Sequence, residues 1–177
     1  NPKKTISMIT SRGCPYNCVF CSIHLHMGKF FRYHSSEYVL KHIKLLVDNY
    51  RIGQILFEDD NITLNRKRFE EILEGLISNF KLSWTVPNGV RADTLDRNLI
   101  KKCKQSGCIS LVVAPESGKQ ETLDKIIKKD LNLNKVVEVA KICKEEGVKL
   151  HAFFVMGFPG ETKADMLQTI KFAKMLR

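Results

Sequence analysis

The chain has 177 residues, 44% of them hydrophobic and 27% charged, which excludes a disordered, collagen-like or coiled-coil polypeptide. Its longest uncharged run, residues 13–28, holds Asn, Ser, two His and three Cys, so no stretch has the ~20 apolar residues of a membrane span. Lys plus Arg outnumber Asp plus Glu by 29 to 19, and this net +10 is dispersed in pairs such as Lys101-Lys102 and Lys128-Lys129, the pattern of solvated helix faces, with no nucleic-acid partner indicated.

In chain order, residues 5–10 form a short β-rich run that ends at a cysteine-bearing loop. A helix follows Ser35 or Ser36, with Val39, Leu40, Ile43, Leu46, Val47 and Tyr50 at i, i+3/i+4 spacing and Gly53 as its stop. Residues 54–57 are a strand running into Glu58-Asp59-Asp60, and Asn65 caps a helix built on Phe69, Ile72, Leu73, Leu76, Ile77 and Phe80. The strand at 83–86 runs into Pro87-Asn88-Gly89, and the helix carrying Leu95, Leu99, Ile100 and Cys103 ends before Gly107. Residues 110–114 lead to Pro115-Glu116-Ser117-Gly118, then to a helix carrying Val136, Val137, Ala140 and Cys143. The last strand, 150–156, packs through Phe153 and Phe154 and ends at Gly157-Phe158-Pro159-Gly160. Thr162-Lys163-Ala164-Asp165 then resembles a capping box and opens a helix carrying Met166, Leu167, Ile170 and Ala173.

Strict alternation of strand and helix means a parallel sheet with right-handed crossovers, its strands read as buried. A closed eight-unit barrel takes about 250 residues, so this α/β chain, one domain over residues 1–177, is a five-unit open barrel segment or a doubly wound sheet. Both architectures put functional residues at the C-terminal ends of the strands. The unusual residues all fall there.

Three of the six cysteines, Cys14, Cys18 and Cys21, sit within eight residues in C-x3-C-x2-C spacing directly after the first strand. Cys103, Cys108 and Cys143 are scattered and read as small core residues. Thiolates so closely spaced can converge on one metal centre, and an iron–sulfur cluster with three protein ligands keeps one iron open. A zinc site completed by His24 or His26, and a thiol cluster without metal, fit the same spacing. The loop, from Gly13 to about Gly28, is expected to lack regular structure.

The other strand tips extend the pattern. Together with the cysteine loop and Phe20 before its third cysteine, Phe57-Glu58-Asp59-Asp60-Asn61, Pro87-Asn88-Gly89-Val90-Arg91-Ala92-Asp93, Pro115-Glu116-Ser117-Gly118 and Gly157-Phe158-Pro159-Gly160-Glu161-Thr162 stand in order on five strands. With these motifs the chain resembles the radical S-adenosylmethionine superfamily, most of all the branch that carries an N-terminal cobalamin-binding domain. The resemblance implies five units of an open (β/α)6 TIM-type barrel, with a cobalamin domain upstream and a sixth β/α unit downstream of these residues. It implies a [4Fe-4S] cluster on Cys14, Cys18 and Cys21, and S-adenosylmethionine cleaved reductively to a 5′-deoxyadenosyl radical that abstracts hydrogen from an unknown substrate. Cobalamin-dependent methylation or rearrangement is the implied outcome; the alternatives are an RNA-modifying methylthiotransferase-type enzyme and a zinc-stabilised α/β binding module.

Residue by residue, the resemblance places Phe20 beside the adenine and Glu58, Asp59 and Asp60 near the methionine amine. The family commonly has Gly-Gly-Glu at that second tip, and the shifted carboxylates leave open which of them meets the amine. Asn88 and Arg91, with Glu116 and Ser117, match positions near the carboxylate and ribose, and Val155, Met156 and Gly157 match the segment along the adenine. An electron donor such as flavodoxin or ferredoxin, a cytoplasmic location and self-association at an open fifth-strand edge complete the expectations.

Overall fold

The computed structural model describes residues 4–176. Five parallel strands form one sheet: β1 (Thr5–Met8), β4 (Gln54–Phe57), β5 (Ser83–Thr85), β6 (Cys108–Glu116) and β7 (Lys149–Phe154), lying side by side in chain order. A two-stranded antiparallel ribbon of β2 (Ser11–Arg12) and β3 (Arg32–Tyr33) flanks the start and end of the cysteine loop. Helices α2 (Ser36–Tyr50), α3 (Arg66–Asn79), α4 (Arg97–Gln105), α5 (Leu133–Glu145) and α6 (Lys163–Met175) follow β3, β4, β5, β6 and β7 respectively. Strands laid down in sequence, with α2 against α3, α3 against α4 and α4 against α5, make a singly wound barrel segment. A doubly wound sheet reverses its strand order at a switch point, and this sheet does not.

The two faces of the sheet differ. Ile55, Phe57, Trp84 and Val113 point toward the helices and are almost fully buried. Trp84 is the centre of that core, edge-on to Phe57 (5.7 Å) and Phe69 (6.0 Å), with its Nε1–H donated to Ser106 O at 3.1 Å. The opposite, concave face carries the cross-sheet row Ser7, Leu56, Thr85 and Ser110, with Thr85 Oγ1 bonded to Ser110 O at 3.0 Å. Strands expected to be buried on both sides therefore present a polar, partly open face, as the inside of an incomplete barrel must. In β7 the alternation of exposed and half-buried residues is complete, because it pairs with β6 alone.

Several boundaries move. The first strand ends at Met8, because the chain turns there into the β2–β3 ribbon. The last strand ends at Phe154, leaving Val155 and Met156 outside the ladder. The α2 helix stops at Arg51, which takes the left-handed cap conformation at φ 54° two residues before the expected Gly53. The capping box forms as expected: Thr162 Oγ1 accepts from Asp165 N–H, and the Asp165 carboxylate accepts from Thr162 N–H. The sequence reading passed over five short elements: β2 and β3, the one-turn helix α1 (Ile23–His26) inside the cysteine loop, a 3-10 turn at Ala92–Thr94 and a π-helical segment at Thr122–Ile127.

Candidate functional site

Each strand of the sheet delivers residues to the same end. The loop after β1 starts at Gly13, whose φ of +88° and close approach to Phe30 O exclude any side chain: a Cβ there would lie 2.2 Å from that oxygen. Gly13 N–H donates to Asp60 Oδ2 (2.8 Å), Cys14 N–H to Gly28 O (3.3 Å), and Val19 N–H to Ile127 O (3.1 Å). The loop expected to be irregular is thus tied at its start, middle and return, and holds the single turn of α1. Its three thiols are all free and half-buried.

The thiols line an open pocket of about 250 Å³ with Phe20, Asp60, Asn88, Arg91 and Glu116. Eight of the fourteen sequence-derived site residues therefore meet in one place. The other six do not line it. The Glu58 carboxylate accepts from Ser7 Oγ at 3.3 Å on the concave face. Asp59 is buried and saturated, accepting Thr10 N–H (3.1 Å), Thr10 Oγ1–H (2.7 Å) and Ser11 Oγ–H, so it pins the β2 ribbon. Ser117 is buried beneath α6, beside Thr169 Oγ1 at 3.2 Å. Val155 N–H is spent on Glu116 O (2.9 Å), Met156 faces a separate groove with Phe154 and Ile170, and Gly157 N–H is held by Glu161 Oε2 at 2.6 Å.

Seven lining residues were not singled out from the sequence, and four of them carry polar or aromatic groups. Lys129 forms a buried ion pair with Glu116 (2.9 Å), and its ammonium lies 5.9 Å from the centre of the Phe20 ring. Glu116 adopts φ 67°, a strained left-handed conformation for a residue with a side chain, of the kind that concentrates at functional sites. Phe153, read as strand packing, is half exposed into the pocket, while Phe154 behaves as expected and packs edge-on against Phe172 at 6.3 Å. Tyr16 stacks on the Arg91 guanidinium at 3.7 Å. No spacing marks Lys129 or Tyr16, whose partners lie 13 and 75 residues away along the chain.

The fourth residue is Asn61, 2% exposed and without a partner for one amide atom. Counting protons fixes which atom that is. The single hydroxyl proton of Thr94 goes to Arg91 O (2.7 Å), so Thr94 Oγ1 accepts that of Thr63 (2.7 Å). The remaining contact of Thr63 Oγ1, 3.1 Å to the Asn61 amide, is then satisfied only with the amide NH2 turned toward it. The unpartnered atom of Asn61 is its carbonyl oxygen, an acceptor in the pocket wall next to Asp60.

Arg91 is almost fully committed. Its Nε–H and Nη2–H grip the Asp93 carboxylate (2.9 and 2.7 Å), while Nη1 and Nη2 reach Lys129 O (3.1 Å) and Asp130 O (2.6 Å). It ties the β5 tip to the segment after β6 and, through Tyr16, to the cysteine loop.

Burial and cationic neighbours act on two of the thiols in opposite directions. Burial pushes the Cys14 thiol up, and its neighbours Cys21 and Cys18 add to this, while Arg91 pulls it down. Burial also raises Cys18, against the opposing pull of Lys129 and Arg91. Two cations thus face thiols that repel one another. Among the described residues no three His, Cys, Asp or Glu side chains are grouped so as to hold a single metal ion. A four-iron cluster gives each thiolate its own iron, and the three sulfurs then stand around a group instead of converging on a point. The donor set fits that group.

The chain matches the model of the radical SAM superfamily over residues 8–173. It is 38% identical over 170 residues to an uncharacterized methyltransferase of Pyrococcus horikoshii, covering 96% of this chain and 36% of that protein. It is 31% identical to the cytidylyl-2-hydroxyethylphosphonate methyltransferase of Streptomyces wedmorensis, covering 94% of this chain and 32% of the relative. The chain spans about a third of the length of these curated relatives. In fold it superposes on the radical S-adenosylmethionine methyltransferase TsrM of Kitasatospora setae, solved with cobalamin and a [4Fe-4S] cluster, with a TM-score of 0.88 at 16% identity, over 98% of this chain and 35% of that one.

Proposed function

The chain belongs to the radical SAM superfamily, and from that premise we propose that Cys14, Cys18 and Cys21 carry its iron–sulfur cluster within a cobalamin-dependent methyltransferase. The superfamily's cofactors are a [4Fe-4S] cluster and S-adenosylmethionine. When bound, the reduced cluster supplies the electron that splits a sulfonium C–S bond, giving methionine and a 5′-deoxyadenosyl radical. One observation carries the reading. The three thiols share a pocket with acidic, amide and cationic groups from the tips of β4, β5 and β6.

The protein's own groups divide the remaining work. The Asp60 carboxylate and the Asn61 carbonyl oxygen offer acceptors to the methionine ammonium. That choice at the second tip is supported by a saturated Asp59 and by a Glu58 side chain turned to Ser7. Glu116 gives one carboxylate oxygen to Lys129, which leaves the other for a ribose hydroxyl. Phe20 and Phe153 supply apolar walls for the adenine. The Arg91–Tyr16 stack holds the thiol loop in place while its donors are engaged elsewhere.

The methyltransferase reading draws on the relatives' names and on the cobalamin bound in the superposed structure. A cobalamin-binding region and a sixth β/α unit belong to the same proposal, as does an external one-electron donor. Free thiols throughout fit a reducing compartment, the cytoplasm. Self-association through β7 is supported by its pairing with β6 alone, which leaves its other edge open.

Anaerobic reconstitution tests the whole reading. The expected result is a brown protein with about four irons and four sulfides, which after reduction converts S-adenosylmethionine to methionine and 5′-deoxyadenosine. A colourless protein holding zinc and no sulfide would overturn it.

A further inference from the structure

No Asp or Glu occurs before Glu37, while five Lys and Arg do, among them Arg12, Lys29 and Arg32. Lys29 lies within the cysteine loop, and Arg12 and Arg32 on the ribbon that frames it. Arg12 and Arg32 are directly opposed across the antiparallel β2–β3 ribbon, so their side chains share one face, and both are exposed. Like charges directly opposite destabilise a strand pair, and among the described residues no carboxylate pairs with Arg12, Lys29 or Arg32. Elsewhere exposed cations do find partners, as in Lys41–Glu37 (2.9 Å), Lys44–Asp48 (2.9 Å) and Lys125–Glu121 (2.8 Å). The nearest carboxylate in sequence, Glu37, is thus already taken.

The patch is mechanically part of the thiol loop. Lys29 Nζ donates to Asn17 Oδ1 (2.7 Å), Arg32 Nη2 to Met27 O (2.7 Å), and Gly28 O accepts from Cys14 N–H. Leu25 and Phe30 of the same loop are 77% and 85% exposed and add apolar surface to it. None of these five side chains lines the pocket, so the patch lies outside it, on the loop that carries the thiols and the ribbon that frames that loop.

We propose that Arg12, Lys29, Arg32, Leu25 and Phe30 form the docking surface for an acidic, low-potential one-electron carrier protein of the flavodoxin type. The inference rests on the cluster assignment above and adds to it the place where the electron enters. An acidic partner relieves the repulsion built into the ribbon and is steered by it, and the two exposed apolar side chains supply a contact surface that water leaves on binding. The carrier's reduced flavin loses one electron and the iron–sulfur group gains one, with no bond made or broken. RNA is the weaker match, since the uncompensated charge is confined to one ribbon and one loop and offers no extended stripe for a phosphate backbone.

The test compares the protein with its Arg12→Glu/Arg32→Glu variant in two ways. Calorimetry with oxidised flavodoxin, on metal-free protein, is expected to show binding that weakens with salt in the wild type and falls about 10-fold or more in the variant. Stopped-flow reduction of the reconstituted protein is expected to slow to the same extent with reduced flavodoxin, yet to change by less than about twofold with dithionite, at equal iron content. The neutral Arg12→Gln/Arg32→Gln variant should fall between the two and remains informative if charge reversal disturbs folding. Equal flavodoxin binding by wild type and variant overturns the proposal, as does a patch that binds short RNA more tightly than flavodoxin or one buried by another part of the protein. Failure to assemble iron at all condemns the cluster assignment instead, and the calorimetric comparison still reads the surface.

Discussion

The chain carries two trios of cysteine, one at each end of the sheet, and burial separates their chemistry. Cys14, Cys18 and Cys21 stand at the C-terminal ends of the strands, half-buried, on a loop facing Arg91 and Lys129. Cys108 opens β6 at the other end, with Cys103 and Cys143 in the closing turns of α4 and α5. These three are buried, and burial outweighs the pull of Arg66 on Cys103 and of Lys104 on Cys108. Burial pushes Cys108 up to about 12 and Cys143 to about 11, and raises Cys103 well above its ordinary value. Burial raises Cys14 and Cys18 as well, but cations at the strand tips pull both the other way, and the first trio lines the open pocket. Side-chain identity is the same in both; the surroundings decide.

The largest effect expected from this contrast is on iron content. Replacing Cys14, Cys18 or Cys21 with Ala should abolish assembly of the four-iron cluster and cleavage of S-adenosylmethionine, with little loss of fold stability. Cys103→Ala should do the reverse, keeping full iron while costing about 1–2 kcal/mol through the small cavity left beneath α4. Iron and sulfide analysis with thermal melts of the metal-free forms reads both. Equal iron loss from the Cys103 variant, without unfolding, would erase the distinction.

Alkylation sharpens the same comparison without metal. In metal-free protein at pH 8, Cys14, Cys18 and Cys21 should react with iodoacetamide while the fold is intact, and the other three only after denaturation. A thiol with a pKa of about 12 is thiolate at a fraction of only ~10⁻⁴ at that pH, even before its lack of access is counted. Peptide mapping by mass spectrometry counts the two classes.

A third, intermediate effect concerns the brace beside the first trio. Arg91→Ala strands the carbonyls of Lys129 and Asp130 and releases Asp93, which should cost about 2–3 kcal/mol. The coupling between Arg91→Ala and Tyr16→Leu should be about 1 kcal/mol in a double-mutant cycle. If Arg91 acts by holding the loop, Arg91→Lys lowers iron loading and leaves the affinity of fully loaded protein for S-adenosylmethionine nearly unchanged. Normal loading with weakened affinity would make Arg91 a direct ligand contact.

These variants mark where the sequence was readable. Periodicity and turn residues revealed the five β/α units, because each strand is a short apolar run closed by Gly, Pro or a polar tip. Spacing alone grouped the thiol trio, whose members are neighbours in the chain, and left cluster, zinc and metal-free readings open. The roles of Asp59 and Ser117 were not, because a polar residue at a strand tip can face the pocket or the interior. Asp59 turns inward to serve the β2 ribbon, and Ser117 goes beneath α6. Lys129 and Tyr16 left no local trace, since each gains its place only when the π-helical segment and the thiol loop close over the sheet. Tertiary partners carry no period.

The smallest expected effect lies far from both trios, at the start of α6. Asp165 is held down to about 2, first by its ion pair with Lys119 (2.7 Å) and then by the hydrogen bonds from Thr162. Its folded value lies below the ordinary 3.8, so the unfolded chain takes up the proton first as pH falls. The stabilisation is therefore fully present above about pH 4 and drains away as the pH drops toward 2. Asp165→Asn keeps an acceptor for the Thr162 N–H but removes the charge, leaving Lys119 to Glu121 (3.3 Å). The difference in melting temperature between wild type and this variant should be constant from pH 7 to about 4.5 and shrink steadily below. A difference that persists undiminished at pH 2 would mean that Asp165 acts through its hydrogen bonds alone and that the ion pair with Lys119 adds nothing.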